Sequence, residues 1–401
     1  MMRDAEPGFA KILKQSVMAY AFNIFGIAAG TIIAYYSGLF AKAPWAVVIY
    51  PPILSARGVI GGLFCGRLST ALHLGTIQPR LFGNTKSFYL LFQAIVIMTF
   101  EASLMMSLIA ALFRGFGEFL SLINVLMTTM ALALVVISPL TLTVSFICFK
   151  HGLDPDIILY PIESTVADLL ITSIYITVLN LFLANSLFWG YVFAFISLAL
   201  LLTSAFFLVK NAREPEFIKT LKESLLTLVL VSFIVNVAGA TLGKVEELIR
   251  GKELSQVYVV YPALIDTIGD VGAVVGSTAT TKLALGTLKA SFSSMKNHFM
   301  EVSGAWAASL IMYFTYSVLA LLITGTLAPI SLVTFTLFLF TVNILAASLI
   351  ILVSYSVAIL TYQKGLDPDN FEIPIESSLA DSITTISLLV ALVLWAGILV
   401  H

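Results

Sequence analysis

The sequence predicts an all-α polytopic membrane protein: eleven transmembrane helices, arranged as two parallel five-helix repeats joined by one linking helix. Three observations carry that prediction. Of the 401 residues, 59% are apolar and only 11% charged, and the mean hydropathy is +1.03. A soluble chain carries roughly 25% charged residues, so no water-facing surface can be made from this composition. Eleven apolar stretches are long enough to cross a hydrocarbon core of roughly 30 Å. Finally, the first five stretches recur in sequence as the last five.

In chain order the spans read 15–40, 45–75, 88–113, 119–149, 161–184, 187–209, 223–243, 257–287, 299–323, 330–362 and 374–399. Those at 45–75 and 330–362 are long enough to be tilted or broken. The charged start, Met1 to Lys14, carries no cleavable signal pattern, and no appended soluble domain is expected. Cys65 and Cys148 lie in apolar surroundings and offer neither a disulfide framework nor a thiolate cage. The 4 histidines are not spaced as metal ligands.

Basic residues orient the spans, because Lys and Arg concentrate on the cytoplasmic side. Of the 21 Lys and Arg, three (Arg57, Arg67, Lys282) lie inside spans. With the N-terminus inside, thirteen others fall inside and five (Lys42, Arg114, Lys244, Arg250, Lys252) outside. The expected topology is therefore a cytoplasmic N-terminus and an extracellular C-terminus, in the plasma membrane.

The repeat is read from two elements. GLDPD-x4-PIES-x2-AD runs from Gly152 to Asp168 and again from Gly365 to Asp381, an offset of 213 residues. The stretch from Tyr50-Pro51 to Gly75-Thr76 matches Tyr261-Pro262 to Gly286-Thr287 at an offset of 211, and Ala29-Gly30 matches Ala238-Gly239. Residues 1–185 thus form a first five-span repeat, 186–210 a linking span and 211–401 a second repeat. Five is odd, so directly fused copies would face opposite ways; the unpaired sixth span restores the direction. Copies that lie parallel are related by an axis along the membrane normal, and a path on that axis would be lined by both.

Chemistry is expected first at the repeated aspartates. Carboxylates are costly within a bilayer and are rarely found there without a task. Positions four apart share a helical face, so Asp168 lies between Ser164 and Thr172, and Asp381 between Ser377 and Thr385. Such a doubled polar stripe suits a cation path. The competing structural reading pairs each aspartate with an intramembrane cation, Arg57, Arg67 or Lys282. Glu163 and Glu376 follow a proline by two residues, which suits either the helix dipole at a first turn or a role at the cytoplasmic mouth. Asp154-Pro-Asp156 and Asp367-Pro-Asp369 read as turns and caps. Asp266 and Asp270 occur in the second copy only, where the first has Ser55 and Val59. They serve either as further ligands or as salt-bridge partners for Arg57 and Arg67. Gly58, Gly61, Gly62 and Gly66 answer to Gly269, Gly272 and Gly276; they permit close helix packing, or a break whose carbonyls line a cavity. Carboxylates and hydroxyls with few histidines suit magnesium, a hard ion that keeps several waters, better than zinc or copper.

The combination P-x2-L … G-x2-G … LALG, followed by DP … P-x6-D, resembles the MgtE magnesium-channel family. The doubled arrangement is similar to its relatives in solute carrier family 41, which carry two five-span units linked by an extra span. The resemblance implies Mg2+ as the transported ion, with pore aspartates at Asp168 after Pro161 and Asp381 after Pro374. MgtE proteins are dimers with the ion path on the twofold axis. The resemblance therefore implies a monomer with internal pseudo-twofold symmetry, or a weak homo-oligomer. The family's G-N-x-G pattern stands here as Gly58-Val59 and Gly269-Asp270, so its asparagine does not carry over. The cytoplasmic sensing domains of MgtE proteins have no counterpart in this sequence.

The leading expectation is transport of divalent cations, with the lipid bilayer and the ions as partners and with no enzymatic activity, organic cofactor or nucleic acid. A sodium- or proton-coupled exchanger is the main rival. An intramembrane aspartyl protease also needs paired carboxylates, but of its G-x-G-D signature only Gly269-Asp270 stands here. A purely structural scaffold is the remaining alternative.

Overall fold

In the computed structural model, which describes residues 8–151, 166–184, 186–250, 254–364 and 369–395, every long element is a helix. Lipid offers backbone groups no water to bond, so spanning segments satisfy them internally. The helices are α1 (Phe9–Tyr20), α2 (Ile24–Tyr35), α3 (Gly38–Lys42), α4 (Pro44–His73), α5 (Lys86–Arg114), α6 (Phe119–Lys150) and α7 (Ala167–Leu183). Then follow α8 (Leu187–Lys210), α9 (Pro215–Ile249), α10 (Ser255–Ala284), α11 (Phe299–Ile323), α12 (Pro329–Gln363) and α13 (Asp369–Trp395).

Among the described residues 10 helical stretches are long and apolar enough to cross a membrane, against the eleven expected. The difference is α7, which has 17 residues and begins beside the undescribed residues 152–165. The breaks considered for the glycine-rich and longest spans do not occur. Helix α4 runs on through Pro51, Pro52, Gly58 and Gly61, α10 through Pro262, and α12 is continuous over 35 residues. Each of these prolines lies about two turns into its helix, where it cannot donate to the preceding turn, yet the helix continues past it.

The chain forms two compact units. One, the central unit, is Tyr35–Gly243; the other, the terminal unit, is Met1–Ala34 with Lys244–His401. These units partition the chain differently from the sequence repeats, because the first helix of each repeat packs in the unit that holds the rest of the other. In the terminal unit Gly30 of α2 lies against the carbonyls of Tyr258 and Val259 on α10, leaving no room for a Cβ. In the central unit Gly239 of α9 lies just as closely against the Val48 carbonyl on α4. Gly30 and Gly239 are equivalent in the repeat, as are Val48 and Val259, so one close approach is made twice. Small residues let membrane helices approach to backbone contact, where dispersion and weak hydrogen bonds replace a hydrophobic driving force.

Within the central unit Trp45 meets Phe182 edge-on at 5.8 Å and Tyr50 stacks on Tyr175 at 5.9 Å, locking α4 to α7. Among the described candidate spans α8 is the least buried, with 17% of its most apolar stretch inside the protein. Within the terminal unit Asn343 of α12 accepts from Trp306 Nε1 and donates to Ser309 Oγ, both at 2.9 Å, tying α12 to α11.

Candidate functional site

Each unit holds its repeated aspartate in the same way. In the central unit the Tyr50 hydroxyl on α4 bonds that of Thr172 on α7 at 3.0 Å. Asp168 lies one turn before Thr172 and is 2% exposed. In the terminal unit the Tyr261 and Thr385 hydroxyls meet at 2.9 Å between α10 and α13. Thr385 spends its proton on the Asp381 carbonyl at 2.5 Å, so Tyr261 is the donor to Thr385. Asp381 is 7% exposed. A buried phenol needs a partner for its hydroxyl, and the threonine one turn from the aspartate supplies it. The tyrosine–threonine clasp therefore sets how each aspartate-bearing helix lies on the glycine-bearing one. Gly269 faces Ala380, the residue before Asp381, with room for a Cβ at an ordinary contact distance of 3.7 Å.

Beyond the clasp the units diverge. Asp168 is paired with the guanidinium of Arg57, one helix away on α4, and both groups are buried. The structural reading of Asp168 as a partner for an intramembrane cation therefore holds at this residue. The repeat aligns Arg57 with Ile268, so α10 brings no cation to the corresponding place. It carries acids at Asp266 and Asp270, two residues to either side of Ile268 and on the opposite face of the helix. Asp270 Oδ2 accepts from Asn23 Nδ2 at 2.7 Å; the same amide lies 3.2 Å from Thr267 Oγ1, which in turn meets the Tyr316 hydroxyl at 2.8 Å. Asp266 lies one turn before Asp270 on α10.

The other intramembrane cations go elsewhere. Arg67 donates to Thr220 Oγ1 at 2.5 Å. Lys282 pairs with Glu301 at 2.8 Å, and His298 Nδ1 lies 3.5 Å from the same carboxylate. That buried group ties α10 to α11 and is confined to the second repeat. Among the described residues no three His, Cys, Asp or Glu side chains converge as a metal cage. Glu163 and Ser164 lie outside the described residues, as do Asp154, Asp156 and Asp367; Glu376, Ser377 and Asp369 sit on α13, but their side chains are not described.

Several polar residues escaped the sequence reading, Glu301 and His298 among them. Asn23 sits in the first span, where its amide is one of several polar groups in a mostly apolar run. Glu101 lies inside α5, and its Oε2 is buried without a hydrogen-bond partner among the described residues. As an acid in the middle of an apolar span it met the criterion applied to the aspartates, but nothing in the repeat mirrors it.

A family model described as MgtE, divalent cation transporter, matches residues 50–178 and 261–391. The two stretches open on Tyr50 and Tyr261, the clasp tyrosines, and extend past Asp168 and Asp381 to include their threonines. No curated protein and no solved structure matches the chain.

Proposed function

Because the chain belongs to the MgtE family of divalent cation transporters, we propose that this multi-pass membrane protein carries Mg2+ across the plasma membrane. The observation that carries this reading is the twice-made clasp, which presents a buried aspartate in each unit. In the terminal unit we assign Asp381 to the ion, with Thr385 one turn on, and Asp266 and Asp270 on α10 as its candidate companions. In the central unit Asp168 and Thr172 hold the equivalent places, and Ser164, Ser377, Glu163 and Glu376 are assigned from the repeated motif alone. Few protein ligands suit an ion that gives up its water reluctantly. With the N-terminus cytoplasmic, an inside-negative potential drives uptake, worth about 2.3 kcal/mol per charge per 100 mV and twice that for a divalent ion.

Asp381→Asn removes one charge and little volume. In proteoliposomes it is expected to abolish Mg2+ flux while leaving the detergent-solubilised protein as monodisperse as the wild type; undiminished flux would sink the assignment. A proton-coupled exchange is favoured by one observation, the Glu101 Oε2 that is buried without a hydrogen-bond partner among the described residues. Glu101→Gln then abolishes the dependence of Mg2+ flux on a pH gradient, and a gradient-independent wild type rejects it.

A further inference from the structure

The second spans of the two repeats carry opposite charge. Helix α4 carries Arg57 where α10 has Ile268, while α10 carries Asp266 and Asp270 where α4 has Ser55 and Val59. The central unit therefore pairs its carboxylate with a guanidinium, Arg57 on Asp168, while α10 has an isoleucine at the position aligned with Arg57. A buried ion pair is weak evidence of stabilisation, because desolvation offsets the attraction. A role in fixing the fold is already met nearby by Tyr50 with Thr172 and by Tyr175, whose hydroxyl donates to the Ala46 carbonyl at 2.5 Å. Arg57 also borders a small cavity, lined by Gly61, Thr99 and Ser138 among apolar side chains. Its volume of about 40 Å³ exceeds what one water needs, and Gly61 contributes no side chain to it. The cavity leaves free space directly beside the guanidinium.

We propose that Arg57 is a tethered cation that competes with the transported divalent ion for Asp168, so that an ion engages this carboxylate only by displacing the guanidinium. The inference rests on the transport reading above and assigns Arg57 as the residue that sets apparent affinity. It acts through Asp168 and is a positioning residue, not a ligand. Displacement keeps the charge near Asp168 from collapsing to an unpaired carboxylate between ions, and it weakens binding enough for release.

The test is Mg2+ flux into proteoliposomes over a range of Mg2+ concentrations, with half-saturation and maximal rate read separately. Arg57→Gln is expected to lower the half-saturating concentration by about tenfold, the effect of removing one opposite charge from beside a carboxylate. Arg57→Lys lowers it less, since an ammonium lacks the planar fork that grips a carboxylate. Arg57→Gln combined with Asp168→Asn returns it to the wild-type value or above. A purely structural ion pair predicts a lower maximal rate at unchanged half-saturation. If Arg57→Gln cannot be isolated folded, Arg57→Lys carries the test alone. A folded variant of either kind with unchanged or raised half-saturation, while flux persists, overturns this proposal only. Wild-type liposomes that pass no divalent ion overturn the transport reading and this proposal with it.

Discussion

Asn23 shows what a single side chain decides. Its amide reaches Asp270 at 2.7 Å and Thr267 at 3.2 Å, so one residue of the first span supports the acid-bearing face of α10. In the other repeat the aligned positions are Ser232 and Val59, and neither polar group recurs. Hydrogen bonds to charged groups contribute roughly 1.5–3 kcal/mol, so Asn23→Ala is expected to lower thermal stability in Mg2+-free detergent by that order. Asn23→Asp should cost more, since it sets a like charge beside Asp270, and Mg2+ should recover more of that loss than of the loss in Asn23→Ala. Equal recovery by Mg2+ in the two variants would separate Asp270 from the ion. Asp168 and Asp381 were legible in the sequence because a carboxylate is costly inside an apolar helix, and one repeated in register incurs that cost twice. Asn23 was not, because its meaning lies in a partner 247 residues away.

Helices of this chain were legible almost to the residue where charge or proline bounds an apolar run. The span expected at 119–149 is α6, Phe119–Lys150; that at 187–209 is α8, Leu187–Lys210; and 299–323 is α11. The same sequence suggested helix breaks that the structure lacks, since a glycine row permits both unwinding and close packing and periodicity does not choose between them. Close packing is made at two glycines outside that row. At Gly30 and at Gly239 an added Cβ would run into a backbone carbonyl, which cannot rotate away as a side chain can. Overpacking of this kind typically costs about 1–3 kcal/mol. Gly30→Ala and Gly239→Ala should each lower the melting temperature in detergent. Gly190→Ala on α8, where a Cβ meets nothing within 4 Å, should be neutral or slightly stabilising, as expected for glycine replaced in an open helix position. A Gly30→Ala protein as stable as Gly190→Ala would mean that α2 does not rest on α10 as described.

At the scale of the whole chain, the sequence repeats and the compact units divide the molecule along different lines, and no pattern within one helix could have revealed it. Repeat boundaries follow from alignment; unit membership follows from which surfaces touch, and the touching glycine and valine of each pair come from different repeats. The matched family regions begin at Tyr50 and Tyr261, after the helices that cross over. A cut chain makes the arrangement testable. Residues 1–211 contain both helices of the α1–α2 span but lack α9, whose Gly239 rests on Val48 in the central unit. Residues 212–401 contain α9 but lack α2, whose Gly30 rests on Val259 in the terminal unit. Each fragment alone therefore leaves its glycine-bearing helix without the neighbour that covers the backbone groove. Expressed separately, each is expected to be degraded or to aggregate on extraction. Co-expressed, the two should copurify through a tag on either one and recover Mg2+ flux in proteoliposomes. A protease-resistant, monodisperse 1–211 fragment would show instead that each repeat folds on its own helices.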